Sequence, residues 1–187
     1  MKLKKSNAVL SLLSFAAMLL HMGYSAFAYF TLFYNPLMTK IFAIPFIVLV
    51  CLHAAAGMCS VFLQADGTRL ELYPKMNIQT IIQRITAALI FPLLILHLFT
   101  FSLLQSTSSS GQFILFALLI LSEVLFFAVI VSHCAVSVSK ALITLGLLHS
   151  DKARKITDRI IYVICMIMFA AASVSVIKGQ ITMFVHF

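Results

Sequence analysis

Charge is scarce in this chain, and acidic charge scarcest. Asp and Glu number five in 187 residues against 13 Lys and Arg, and charged residues together make up 10%. A soluble domain carries roughly a quarter of its residues as charges, so a soluble globular fold is excluded. Apolar residues fill the gap at 63%. They come in blocks longer than the stretch of about 20 residues that spans a bilayer core. The net charge of +8 does not form a nucleic-acid-binding face. The basic residues sit between the apolar blocks, as membrane topology requires.

Paired cysteine motifs are also missing. Cys51, Cys59, Cys134 and Cys165 all lie within apolar segments, with no C-x-x-C pair and no C-x-x-C-H haem attachment site. They read as small core residues, and any haem here is expected to be held non-covalently. No polar stretch is long enough for an extramembrane domain, and no soluble-type repeat is visible. The basic start, Met1 to Lys5, precedes an apolar run over 8–34. That run is too long for a secretory core and has no convincing A-x-A site before a soluble domain, so it is expected to be retained as the first span.

The pattern predicts an all-α integral membrane protein forming one domain of five transmembrane helices, over roughly 8–34, 40–64, 78–105, 112–148 and 158–184. Asn35-Pro36 marks a short turn. Asp66-Gly67 and Tyr73-Pro74 bracket a charged loop, residues 106–111 form a small polar turn, and 149–159 is a second charged loop. Lys2, Lys4, Lys5, Arg69, Lys75, Arg84, Lys152, Arg154, Lys155 and Arg159 fall on one side, with Lys140 on the same half of span four. Lys40 and Lys178 fall on the other. The positive-inside rule then predicts a cytoplasmic N-terminus and an outer C-terminus.

Four histidines fall inside this bundle, one per span: His21, His53, His97 and His133. An ionisable side chain in lipid is costly and normally serves a function. One could be a helix–helix hydrogen bond. Four on successive spans point to shared ligation or a relay. A proton path usually recruits carboxylates, and the one acidic residue inside the spans is Glu123. A zinc site needs its ligands at one depth. His97 lies ~12 Å from the outer edge and His133 ~32 Å, at 1.5 Å per residue. His21 and His53 fall nearer the middle, and counting does not assign them; two levels of two imidazoles each are what two stacked six-coordinate haems need. Small residues beside the histidines (Gly23, Ser25, Ala54, Ala55, Ala56, Gly57 and Ser137) leave room for a flat cofactor, and also serve plain helix packing. Lys140, seven residues after His133, shares its face. It is a candidate propionate partner or an interfacial lysine.

Span three reads Gln83-Arg84-Ile85-Thr86-Ala87, with His97 eleven residues after Thr86. Span four reads His133-Cys134-Ala135-Val136-Ser137-Val138-Ser139-Lys140, then Gly146. Together with residues 53–57 and a histidine-free fifth span, this resembles the five-helix dihaem cytochrome b anchor of succinate dehydrogenase and fumarate reductase. The resemblance covers most of the chain. It implies two haem b groups, the cytoplasmic one between His53 and His133 and the outer one between His21 and His97. It implies menaquinone or another quinone as substrate and a bacterial cytoplasmic membrane. It also implies a flavoprotein and an iron–sulfur subunit docked on the cytoplasmic face, around Arg69 and Arg154, with a dimer of the whole complex as one possible assembly. Lys140 stands where the family commonly has arginine and Ala87 where it has glycine. Val131 stands where some relatives carry a glutamate, so that relatives' transmembrane proton path is not expected here.

Electrons are then expected to pass between a membrane quinone and the partner's clusters, in a direction these residues do not encode. Glu123 is ~15 Å further outward than His133 along the helix. That makes it a candidate proton acceptor from quinol, or a structural bond to another helix. Rival readings are a dihaem cytochrome b of another quinone-linked enzyme, a cofactor-free transporter and a structural anchor. A transporter would call for mid-membrane breaks, and Pro45 and Pro92 are the intraspan prolines. His149 and His186 lie near the surfaces and are given no ligand role.

Overall fold

A membrane-spanning backbone must bond its own amides, because lipid offers no partners. Long apolar stretches therefore become helices. The computed structural model describes residues 2–64 and 74–184, with backbone alone over 61–64 and 74–77. It contains five helices and no strand among the described residues: α1 (Lys2–Thr31), α2 (Pro36–Gln64), α3 (Pro74–Ser109), α4 (Phe113–Thr144) and α5 (Asp151–Phe184). All five are long and apolar enough to cross a membrane. The loop holding Asp66, Gly67, Arg69 and Tyr73, the side chain of Lys75, and His186 lie outside the described residues.

Helix ends differ from the sequence boundaries for local reasons. The lysines at 2, 4 and 5 continue α1 rather than precede it. Asn35 caps α2, its Oδ1 accepting from the Leu37 and Met38 amides at 3.0 and 3.2 Å, with Pro36 at the first helical position. The Tyr24 hydroxyl donates to the Asn35 carbonyl and accepts from its amide, both at 3.2 Å, tying this turn to α1. The serines at 106–109 are helical. α3 stops where Gly111 turns left-handed (φ 70°), its amide bonding the Ser108 carbonyl and that of Gln112 the Thr107 carbonyl. α4 ends the same way. Gly146 (φ 74°) bonds the Ile143 carbonyl and Leu147 the Leu142 carbonyl, so the helix stops at Thr144 rather than 148. Both are Schellman motifs, which favour glycine at the left-handed position. At α5 the Ser150 hydroxyl accepts from the Ala153 amide, and the charged residues from Asp151 onward are helical.

α4 is the centre of the bundle. It packs against α3, α5 and α1, while α2 packs chiefly against α1. One core cluster joins Met18 and Met22 of α1, Phe126, Phe127 and Ile130 of α4, and Ala172 and Val176 of α5. A second joins Val131, Ala135 and Val138 to Ile161 and Cys165. Large apolar side chains such as Ile95, Phe99, Ile114 and Ile167 face outward, as lipid solvation permits. The four cysteines are free thiols; Cys165 is buried and Cys134 half-buried, but Cys51 and Cys59 are exposed on α2 and are not core residues.

Candidate functional site

The α3–α4 contact positions the polar groups. Thr80, Gln83 and Thr86 recur every third residue on α3, and His133 and Lys140 are seven apart on α4, so each set shares a face. His133 Nδ1 lies 3.1 Å from the Gln83 carbonyl and 3.1 Å from Thr86 Oγ1. A carbonyl only accepts. The Thr86 hydroxyl donates to the Ile82 carbonyl at 2.7 Å, so towards His133 it accepts as well. Both contacts therefore assign the proton to Nδ1 and leave Nε2 with its lone pair free. Metal-binding imidazoles are commonly fixed in this way.

His53 of α2 faces that ring. The two ring centres are 6.3 Å apart and their planes 65° from each other. The spacing is that of an edge contact between rings, and it leaves the two imidazoles near enough to share one metal ion. His53 Nδ1 is buried and bonds no described protein atom. Ser137 Oγ, one turn beyond His133, and Asn7 Oδ1 are buried in the same unpaired state. Asn7 packs beside Gly57, one turn beyond His53.

The second couple lies further from the basic end, with Glu123 about 15 Å along α4 from His133. His21 and His97 line one cavity of about 520 Å³ with Met22, Tyr29, Phe126 and Gln180, within the range of ligand pockets. The His21 ring stacks on Phe46 at 5.5 Å, and the His97 ring tilts against Phe126 at 5.1 Å. His97 Nδ1 bonds Glu123 Oε2 at 2.6 Å. With Glu123 ionised, its carboxylate accepts, the proton sits on Nδ1 and Nε2 is free. His21 Nδ1 is buried without a described partner.

The other site candidates fall as follows. Lys140 Nζ donates to Thr80 Oγ1 at 2.9 Å and to Gln83 Oε1 at 3.3 Å, with Arg84 and Arg154 close enough to repel it. Arg154 also lies 3.9 Å from Asp158. His149 is exposed between α4 and α5. Among the described residues no three His, Cys, Asp or Glu side chains converge as a metal cluster. The histidines instead fall in two couples, His53 beside His133 and His21 with His97 around one cavity.

Two residues not singled out in the sequence line the same cavity. Gln180 is 2% exposed and donates from Nε2 to the Tyr29 hydroxyl at 3.0 Å, while its Oε1 is buried without a partner. A lone amide in an apolar span was the available signal. Gly179 makes the approach possible, because a Cβ there would meet Tyr29 atoms at 2.6 and 3.0 Å.

No family model matches the sequence, and no curated protein or solved structure is significantly similar to it.

Proposed function

We propose that this chain is a dihaem cytochrome b, the membrane anchor of a succinate:quinone oxidoreductase or a quinol:fumarate reductase. The 6.3 Å spacing of His53 and His133, with the His133 proton held on Nδ1, carries the reading. When bound, each haem supplies one-electron transfer at a potential set by its ligands and their partners. His53 and His133 hold the group nearer the basic end, and His21 and His97 hold the other. Gln83 and Thr86 orient His133. Lys140, with Arg84 and Arg154 near it, gives that end a positive field for a carboxylate such as a propionate. The basic end faces the cytoplasm by the positive-inside rule and docks a flavoprotein and an iron–sulfur subunit. The cavity lined by His21 and His97 is the space for that second group, and Glu123 stands in its wall; quinone is expected to exchange electrons at this outer level.

The test is an absorption spectrum and haem assay of the purified protein. A reduced b-type spectrum with two haems per chain is expected. His53→Ala and His133→Ala are each expected to lose the same haem, and His21→Ala and His97→Ala the other. A folded, colourless preparation from haem-replete cells would remove the proposal.

A further inference from the structure

Glu123 is an acidic side chain buried within a membrane-spanning helix. Its side chain is 5% exposed, and such a group is costly in lipid unless it is paired. Among the described residues its bonded partner is His97, at 2.6 Å, a short bond. Three residues on, and so on the same face of α4, Phe126 tilts against the same imidazole at 5.1 Å. α4 thus fixes the α3 imidazole by one bond and one ring contact. The equivalent position at the other level differs in kind, since His133 Nδ1 meets a carbonyl and a hydroxyl, both neutral.

Resting on the dihaem reading above, we propose that Glu123 is the positioning residue of the His21–His97 haem. Its carboxylate holds the proton on His97 Nδ1 and aims Nε2 into the cavity. The negative charge makes the imidazole a stronger donor and so favours the ferric state, where a neutral acceptor would not. The two haems then differ in potential through their outer partners, although all four axial ligands are histidines. This role is distinct from taking a proton from quinol, which needs Glu123 to face substrate rather than ligand.

The experiment compares wild type, Glu123→Gln and Glu123→Asp by optical redox titration and by the low-spin ferric electron paramagnetic resonance signals. Gln keeps a carbonyl acceptor of the same shape and removes the charge. In Glu123→Gln one midpoint is expected to rise and one ferric signal to move, with the second haem unchanged. Glu123→Asp, which keeps the charge, is expected to hold the wild-type order. Selective loss of one haem in Glu123→Gln, restored in Glu123→Asp, supports the same role. Unchanged midpoints and signals in a fully loaded Glu123→Gln protein overturn it, and so does loss of both haems, which marks a purely structural residue. A wild type that binds no haem overturns this inference and the proposed function together. A loaded wild type with unresponsive variants overturns this inference alone.

Discussion

Gly179→Ala tests how closely α1 and α5 approach beside the cavity. The new Cβ would meet Tyr29 Cδ1 at 2.6 Å and Tyr29 Cβ and carbonyl oxygen at 3.0 Å. The ring can swing, but the oxygen and the Cβ belong to α1 itself. Even a favourable carbon–oxygen contact needs about 3.3 Å or more, so the helices must part by a few tenths of an ångström. Overpacking of this kind costs about 1–3 kcal/mol. Any swing of the ring also breaks the Gln180–Tyr29 bond, worth about 0.6 kcal/mol in a membrane interior. Alanine returns about 1 kcal/mol through its higher helix propensity. The net loss is about 0.5–2.5 kcal/mol, or roughly 2- to 70-fold in the unfolding equilibrium. Reversible unfolding in mixed micelles, followed by circular dichroism, reads it. Gly23→Ala is the control, since nothing lies within 4 Å of a Cβ there, and it should be neutral or stabilising by up to about 1 kcal/mol. A Gly179→Ala protein as stable as the Gly23→Ala control would refute the close approach.

Thr86→Val removes one acceptor from His133 Nδ1 and leaves the Gln83 carbonyl. One of the two haems should then leave about ten times faster for an apoglobin scavenger, and equal release rates would count against the Thr86 role. Gly146→Ala puts a side chain at φ 74° with no neighbour to clash. It should cost about 1–2 kcal/mol through conformation alone, read in the same unfolding assay. Single cysteines at Ser109 and Ser150, in a chain whose four native cysteines are replaced, should label from opposite sides of oriented vesicles, Ser150 from the cytoplasm. Labelling of both from one side would break the five-span arrangement.

Helix number and the separate levels of His97 and His133 were legible because both depend on counting, while His21 and His53, nearer the middle, could not be assigned that way. Apolar length sets the spans, and residue spacing along a helix sets depth. The ends were less legible because they depend on local bonding. Ser106 and Thr107 look like turn residues. Their hydroxyls serve as well inside a helix, as when Thr107 bonds the Leu103 carbonyl, and the chain turned only where Gly111 could go left-handed. The partner of Glu123 was not legible. Its level could be counted, but not the rotation of α4 about its own axis. On a helix apolar all round, hydropathy carries little record of which face meets which neighbour. The Gly179–Tyr29 approach was hidden for a related reason, because a glycine in an apolar span reads equally as a packing residue or as a lipid-facing one.

One register of α3 against α4 serves both levels. Glu123, Phe126, His133 and Lys140 on α4 meet His97, Gln83, Thr86 and Thr80 on α3. A slip of one turn displaces the helices by about 5.4 Å, more than any of these bonds tolerates. It would strand a carboxylate, an imidazole and an ammonium group together, each costing several kcal/mol in lipid. The three-residue turn at 110–112, closed by Gly111, limits such slippage from one end. Lys140, bonded to Thr80 and Gln83, opposes it from the other. The polar contacts thus act as a single gauge along the 18 residues of α4 from Glu123 to Lys140. Attraction between apolar faces cannot set it, since lipid is as apolar as leucine. The groups that would hold the cofactor also fix the alignment of the helices that carry them. A substitution that strands one of these groups, unlike the isosteric Glu123→Gln, is therefore felt along the whole contact.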